Sequence, residues 1–262
     1  MNTSLSIKQK SALQGIASSM PSSKSISNRV LIMNSLGGNL SKLHNLSDAN
    51  DTQLMMRLVN SPDPVIDVED AGTTMRFLTA YFAVTRQRKT LTGSARMKER
   101  PIGILVNALH SLGVDIQYGE KEGYPPLHIK SFKDQKTDTI NIRGDVSSQF
   151  ISALMMVAPV LPQGLTLVLE GKVGSRPYIE MTASLMKHFG VSSDLQENKI
   201  IVSHQSYKPA EFTVESDWSG ASYWFAMVAL AQEADILLPR LSLTSLQGDS
   251  KVVDIMKFLG VR

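Results

Sequence analysis

Hydroxyl and cationic side chains cluster in the segment MPSSKSISNRVLIMNSLG, residues 20–37. An apolar helical run follows the serines, so the cluster stands where a helix is predicted to begin. One serine is enough to cap a helix, and a cation at that end opposes the helix dipole. A bound anion would use the hydroxyls, the cations and the unpaired backbone N–H groups together. Capping and anion binding both stay open for the polar members of this segment, which are Ser22, Ser23, Lys24, Ser25, Ser27 and Arg29.

Donor-rich turns recur further along the chain, each before a predicted helix. Hydroxyl, backbone N–H and guanidinium groups in one place favour phosphate and carboxylate ligands. Each turn taken alone is also explained by ordinary capping or by a solvated run of charges. The residues are Gly72, Thr73, Arg76, Arg100, Ser147, Ser148, Gln149, Ser175, Arg176 and Tyr178.

Composition narrows the class of protein. The 262 residues are 42% apolar, carry a net charge of +3 and include no cysteine, which excludes disulfides and thiolate metal sites. The charge is too small to indicate nucleic-acid binding by itself. The five histidines lack ligand spacing, so no metal site is predicted. The longest apolar stretch, ALMMVAPVL, is far shorter than the roughly 20 residues of a membrane span, and we expect a cytoplasmic protein.

The elements that must position these side chains repeat along the sequence. Each copy predicts a strand, an aspartate, a small-residue turn and an apolar helix, followed by a second strand and an amphipathic helix that ends at glycine. The copies of the first part are VIDVEDAGTTMRFLTAYFAV (65–84), TINIRGDVSSQFISALMMVA (139–158) and FTVESDWSGASYWFAMVALA (212–231). The amphipathic helices are predicted at 100–114, 176–191 and 250–261, with Pro101 and Pro177 as first helical residues.

The repeats predict an α/β fold of the α+β type. Units of β-α-β-α-β-β are expected to pack around a pseudo-threefold axis, with the helices inside and the sheets outside. The helices FISALMMVAPV and YWFAMVALA are apolar nearly all round, which predicts burial on every side.

The motifs SSKSISNR, DAGTTMR, RMKERPIG, GDVSSQF, SRPYIEMT and LQGD resemble, in order and spacing, those of the 5-enolpyruvylshikimate-3-phosphate synthases. The resemblance covers essentially the whole chain and implies the enolpyruvyl-transferase fold. It implies transfer of the enolpyruvyl group of phosphoenolpyruvate to the 5-hydroxyl of shikimate 3-phosphate, with release of phosphate. It further implies no metal, no organic cofactor, no nucleic-acid or membrane partner, a monomer, and a place in aromatic amino-acid biosynthesis as the target of glyphosate.

The family pattern also implies roles for ten residues. The shikimate carboxylate would be held by Ser25 and Arg29, and its phosphate by Ser147, Ser148 and Ser175. Tyr178 would line the pocket of the shikimate ring. Phosphoenolpyruvate would face Lys24, Gly72, Arg100 and Gln149, of which Lys24 and Arg100 are the catalytic candidates.

Four residues depart from the family pattern. Glu69 and Asp70 replace a common Gly-Asn pair, Phe77 replaces a common proline, and Trp218 replaces a small residue. An extra carboxylate before the helix would either weaken phosphoenolpyruvate binding or cap the helix. Sensitivity to glyphosate is therefore left open.

Two other functions fit parts of the pattern. Enolpyruvyl transfer to a UDP-sugar uses the same fold, but that sibling family lacks the combination of SKSxSNR and RMKERP. A non-catalytic module that binds anions or RNA would interleave basic residues with exposed aromatic ones. The aromatic residues here fall mostly inside apolar helices.

The repeats predict two domains. Residues 22–215 are expected to form a domain of three complete units, and residues 1–21 with 216–262 part of a second domain. The crossings near Pro21 and Glu215 are candidate hinges. The final helix ends at LGV without the strands that follow earlier copies, so we expect an N-terminal portion of a longer enzyme. The main acid and base carboxylates are then expected outside this chain, which would have little activity alone.

Overall fold

The computed structural model describes residues 12–261, which form two compact units. The continuous unit is Lys24–Val214. The discontinuous unit combines residues 12–23 with residues 215–261. Part of the domain predicted for residues 1–21, together with residue 262, lies outside the described residues. None of the helices between residues 12 and 261 has the length and apolar character that a membrane span requires.

The first four elements place the serine and cation cluster at a helix start, as predicted. Helix α1 begins at Lys24, directly after Ser22 and Ser23, includes Ser25 and Ser27 in its first turn, and ends at Leu36 before two glycines. The bounds in chain order are β1 Ala12–Ile16, α1 Lys24–Leu36, β2 Lys42–His44 and α2 Asn50–Leu58.

The first complete repeat has the predicted β-α-β-α-β-β order with one added element, the short helix α4. Both expected helix starts are wrong: α5 begins at Gly103, so Pro101 is not a helical residue, and the corresponding helix of the second repeat begins at Arg176, one residue before Pro177. The N–H groups of Ile102 and Gly103 both donate to the Gly123 carbonyl, at 2.9 and 3.1 Å, which holds this turn outside the helix. The bounds are β3 Val65–Asp67, α3 Gly72–Val84, β4 Lys89–Thr92, α4 Ala95–Lys98, α5 Gly103–Leu112, β5 Val114–Tyr118 and β6 Leu127–Phe132.

The second repeat has the same architecture. Its four-stranded sheet has the order β7-β8-β10-β9, which matches the order β3-β4-β6-β5 of the first. In both sheets the first pair of strands is parallel and the other pairs are antiparallel. The bounds are β7 Thr139–Arg143, α6 Ser148–Val157 with a 3-10 turn at Ala158–Val160, β8 Leu165–Glu170, α7 Arg176–His188, β9 Asp194–Leu195 and β10 Lys199–Val202.

The repeat predicted at 212–231 is divided between the two units. Its strand, β11 (Glu211–Thr213), pairs with β2 in a two-stranded parallel sheet of the continuous unit. Its helix, α8 (Trp218–Leu230), belongs to the discontinuous unit, together with β12 (Glu233–Leu237), a 3-10 turn at Gly248–Lys251 and α9 (Val252–Phe258).

The helices of the continuous unit form its interior. Helices α1, α3, α6 and α7 contact one another, and every residue of α3 is buried. The strands present alternate residues to this core: in β7, Ile140 and Ile142 are buried between exposed neighbours. The sheets therefore have one covered face and one solvated face, as predicted.

The discontinuous unit has a much smaller core. Strand β1 pairs with β12, and the buried apolar residues are Ala17, Met20, Trp218 and Ala221. The prediction that the segment YWFAMVALA is buried on every side is wrong, because Tyr223 is 74% and Leu230 is 88% exposed. Within this unit α8 packs against β12, α9 and the 3-10 turn, which cover part of its surface. An open cavity of about 400 Å³ is lined mainly by apolar side chains of this unit that those elements leave uncovered.

Candidate active site

Arg29, on the second turn of α1, is nearly completely buried, with 2% of its surface exposed. Its Nε donates to Thr182 Oγ1 at 2.8 Å, and its Nη2 donates to Ser152 Oγ at 3.0 Å. Its Nη1 donates to the Ser25 carbonyl at 2.8 Å. Three helices of the core thus contribute to fixing this guanidinium.

Two aromatic rings cover the same guanidinium. The ring centroids of Phe77 and Tyr178 lie 5.4 and 5.7 Å from Arg29 Cζ. Burial lowers the pKa of Arg29 to about 10, against a smaller raising effect of Tyr178, so the side chain stays charged at neutral pH. Among the described ion pairs, none joins a carboxylate to Arg29. A buried cation held only by neutral groups favours an anionic ligand.

Arg100 lies against the N-terminus of α3. A Cβ atom on Gly72 would collide with the Arg100 guanidinium, so any other residue there would displace the flexible end of the Arg100 side chain. The N-cap residue, Ala71, provides no side-chain acceptor for the first N–H groups of the helix. A guanidinium beside uncapped N–H groups has the chemistry of a phosphate or carboxylate site.

A second guanidinium, that of Arg76, belongs to the same cluster. Arg76 is 9% exposed, its Nη1 donates to the Gly72 carbonyl at 2.9 Å, and its buried Nε has no hydrogen-bond partner among residues 12–261. Burial, and next the repulsion from Arg100, lower the pKa of Arg76 to about 10. Two guanidiniums that repel each other are stabilised by an anion that contacts both.

The N-terminus of α6 is tied to that of α3. Gln149 Nε2 donates to Thr73 Oγ1 at 3.1 Å. Ser147 caps α6 through a long contact, 3.4 Å, from the Gln149 N–H to its Oγ. Ser148 is 8% exposed, Gln149 is half-buried and Ser147 is exposed, so this turn leads from the surface into the core.

Ser175 adopts a left-handed backbone conformation at the N-cap of α7, with φ of 51°. This conformation costs a serine about 1–2 kcal/mol relative to ordinary backbone, because its Cβ crowds the chain. The Ser175 side chain makes no capping hydrogen bond, although its carbonyl accepts from the Tyr178 N–H at 3.0 Å. Backbone strain that local capping does not explain is a frequent mark of a functional position.

Direct contacts thus bring the predicted residues together in two clusters. The first contains Ser25, Arg29, Tyr178 and Ser175, and the second contains Gly72, Arg100, Gln149 and Ser147, the last two through Thr73. The polar contacts described between residues 12 and 261 do not join Lys24 to either cluster. Its Nζ lies 3.7 Å from Asp51 Oδ1 of α2.

Sequence reasoning missed two hydroxyls that hold Arg29. Thr182 lies four residues after Tyr178 in α7, and Ser152 lies four residues after Ser148 in α6. Residues spaced by four share a helix face. Extending each predicted site residue by one helical turn would therefore have found both hydroxyls.

The two carboxylates that depart from the family pattern do not cap α3, so that expectation is wrong. Glu69, at φ of 51°, pairs with Arg57 at 3.5 Å. Asp70 accepts from the Ser94 hydroxyl. Both side chains are thus turned to partners other than the N–H groups of α3. Weaker phosphoenolpyruvate binding stays a prediction.

The described part of the chain contains no group of side chains suited to bind a metal ion. Between residues 12 and 261, no three His, Cys, Asp or Glu side chains are grouped as a metal ion requires.

Helices enclosed by outward-facing sheets, with donor-rich turns at the helix starts, define the enolpyruvyl-transferase fold. Solved structures with the same fold include the EPSP synthase of Acinetobacter baumannii, at a TM-score of 0.77 and 19% identity. The match covers 95% of this chain and 60% of that one. A family model described as EPSP synthase (3-phosphoshikimate 1-carboxyvinyltransferase) matches residues 57–262. The chain belongs to the EPSP synthase family.

Curated relatives agree. A 3-phosphoshikimate 1-carboxyvinyltransferase of Bacteroides fragilis is 49% identical over 243 residues, which are 92% of this chain and 59% of the relative. One from Vibrio atlanticus is 37% identical over 271 residues, covering 92% of this chain and 63% of the relative. The chain thus spans about three fifths of the length of these relatives.

Proposed function

We propose that this chain binds shikimate 3-phosphate and phosphoenolpyruvate and supports enolpyruvyl transfer between them. The observation that carries the proposal is Arg29, a buried cation that has no carboxylate partner in the described part of the chain. The reaction itself is inferred from the chain's membership of the EPSP synthase family. The shikimate 5-hydroxyl gives up its proton as its oxygen bonds to C2 of phosphoenolpyruvate, and C3 takes a proton. The resulting intermediate then breaks the bond from C2 to the phosphate oxygen, releases phosphate and returns the C3 proton.

The two clusters would share shikimate 3-phosphate, and the second would also hold phosphoenolpyruvate. In the first, Ser25 and Arg29 would hold the shikimate carboxylate and Tyr178 would line the pocket of the ring. In the second, Gly72, Arg100 and Gln149 would face phosphoenolpyruvate. Ser147, Ser148 and Ser175 would hold the phosphate of shikimate 3-phosphate. Cations in both clusters would offset the repulsion between the substrates and allow them to approach.

Proton transfer needs positioned acids and bases in addition to these donors. Lys24, beside Asp51, is the candidate within this chain, and Arg100 would stabilise the developing charge of the leaving phosphate. The resemblance to the family implies that the principal carboxylates come from outside the matched segment. We therefore expect the 262-residue chain to bind substrate but to release phosphate slowly. Turnover near that of a full-length relative would contradict this expectation.

Isothermal calorimetry with Arg29→Ala tests the binding proposal. Loss of charge-assisted hydrogen bonds to a carboxylate should cost about 1.5–3 kcal/mol, a weakening of roughly 10- to 150-fold for shikimate 3-phosphate. Arg88→Ala removes an exposed guanidinium of the same unit and should leave binding unchanged. Tighter binding of a UDP-sugar than of shikimate 3-phosphate by the parent chain would overturn the proposed function.

A further inference from the structure

Two buried hydroxyls hold one edge of the Arg29 guanidinium. Thr182 on α7 and Ser152 on α6 are both 0% exposed. Their oxygens accept from Nε and Nη2 of Arg29, at 2.8 and 3.0 Å, and lie 3.0 Å from each other. Thr182 Oγ1 also donates to the Tyr178 carbonyl at 2.7 Å. The hydroxyl of Thr182 therefore joins Arg29 to the backbone of Tyr178.

This arrangement decides which N–H groups of Arg29 remain for a ligand. A guanidinium has five N–H donors and can grip a carboxylate through Nε with one Nη, or through both Nη atoms. Here the hydroxyls occupy the Nε edge, and the Ser25 carbonyl takes one donor of Nη1. Among the described contacts, one N–H on Nη1 and one on Nη2 remain, and a carboxylate can accept from both Nη atoms.

Two aromatic rings also lie close to the guanidinium. The ring centroids of Phe77 on α3 and Tyr178 on α7 stand 5.4 and 5.7 Å from Cζ. Attraction between a cation and a ring does not fix the direction in which each N–H group points. The hydroxyls supply that missing restraint, because a hydrogen bond from Nε is directional.

We propose that Thr182, assisted by Ser152, is a positioning residue that orients Arg29 so that its two remaining donors face the substrate carboxylate. The inference rests on the proposed function, because the carboxylate is that of shikimate 3-phosphate. Thr182 makes no contact with substrate in this account and acts through Arg29. Without the Thr182 hydroxyl, the Arg29 guanidinium can turn. Its remaining N–H groups can then donate to acceptors within the protein and not to the substrate.

The chain offers a matched control for this hydroxyl. Thr79 on α3 is also 0% exposed, and its Oγ1 donates to the carbonyl four residues earlier, Met75, at 2.7 Å. Thr182 makes the same kind of bond at the same length, and differs in accepting from Arg29. Thr182→Val and Thr79→Val therefore remove the same atom from similar surroundings.

The experiment compares the 262-residue parent chain with Thr182→Val, Thr182→Ser and Thr79→Val. Calorimetry gives the affinity for shikimate 3-phosphate, and NMR gives the hydrogen-exchange rate of the Arg29 Nε–H. We expect Thr182→Val to bind about tenfold more weakly, as when one hydrogen bond to a charged group is lost. Its Nε–H should exchange at least about tenfold faster, because the protecting bond is gone. Thr182→Ser should restore both properties, and Thr79→Val should match the parent in both.

The outcomes separate this inference from the proposed function. If the parent does not bind shikimate 3-phosphate, the proposed function fails, while the exchange rates still report whether Thr182 orders Arg29. If the parent binds and Thr182→Val binds equally well, the positioning role is wrong. It is equally wrong if the Nε–H exchange rate is the same in Thr182→Val as in the parent, or if Thr79→Val weakens binding as much.

Discussion

Helices α6 and α8 begin from the same repeat pattern and end in opposite environments. In α6 every residue except Gln149 is buried. The buried residues include four consecutive apolar side chains, Leu154, Met155, Met156 and Val157. In α8 the buried residues are Trp218 and Ala221, and most of the apolar side chains of its second half reach solvent.

The difference lies in the neighbours. Helix α6 packs against α1, α3 and α7 in the middle of the continuous unit. Helix α8 meets, within its own unit, one strand, one short helix and one turn. Burial of apolar surface contributes roughly 25 cal/mol per Å² to stability, so an apolar helix is stabilised when other elements pack over it. The sequence of the helix itself does not supply those elements. Apolarity all round therefore predicts a preference, and the fold decides whether it is satisfied.

This contrast bears on the site. Ser148 and Gln149 begin the buried helix and Ser147 is its exposed N-cap, so a closely packed core holds the backbone of this turn. Sites carried on such rigid elements hold their donors in place before the ligand arrives. The corresponding turn of α8 carries Asp217, whose carboxylate accepts from the Gly220 N–H at 2.9 Å and so caps its own helix.

The largest expected effect comes from truncating one leucine in each helix. Leu154→Ala in α6 should lower the free energy of unfolding by about 2–5 kcal/mol, because Leu154 is fully buried. Leu230→Ala in α8 should change it by less than about 0.5 kcal/mol, because Leu230 is 88% exposed. Urea unfolding followed by circular dichroism measures the first, and tryptophan fluorescence the second. Equal losses would mean that the two helices are equally covered in solution.

A smaller effect is expected in the order of unfolding. Both tryptophans, Trp218 and Trp224, lie on α8, so tryptophan emission reports on the discontinuous unit. Far-UV circular dichroism is dominated by the more numerous helices of the continuous unit, α1 to α7. We expect the emission midpoint at a lower urea concentration than the circular dichroism midpoint, since the discontinuous unit has the smaller core. Coincident midpoints would show that the units unfold together.

The smallest expected effect concerns the two N-caps. Asp217→Ala should destabilise its unit by about 1 kcal/mol, because it loses a well-formed cap. Ser147→Ala should cost only about 0.5 kcal/mol, at the low end for caps, because its capping contact is 3.4 Å long. Its effect should instead be on shikimate 3-phosphate affinity, measured by calorimetry beside the urea curves. Unchanged affinity in Ser147→Ala would make that serine a cap alone.

Much of the fold could be predicted because its signals are local. The alternation of apolar residues gave the strands, and the glycines that end the amphipathic helices do take positive φ, 102° at Gly113, 79° at Gly190 and 86° at Gly260. The start of α5 differs from the predicted one because the N–H groups of Ile102 and Gly103 donate to the carbonyl of Gly123, twenty residues away. Local sequence patterns do not reveal such a contact.

The candidate site was less accessible to sequence reasoning, because its contacts join distant residues. Arg29 meets Thr182 across 153 positions and Ser152 across 123. No periodicity within either segment specifies that pairing. The sequence did indicate the types of donor, since hydroxyls and guanidiniums at helix starts share one chemistry. Their grouping into two clusters depends on how the helices pack.

The parallel pairing of β1 with β12 has a consequence for the order in which the chain matures. Ala12 is registered with Glu233, and the whole continuous unit lies between them in the sequence. At a synthesis rate of about 5–20 residues per second, β1 waits tens of seconds for its partner to leave the ribosome. By then the continuous unit has its whole sequence available and can close its core. Residues made early are thus among the last to reach their final hydrogen bonds.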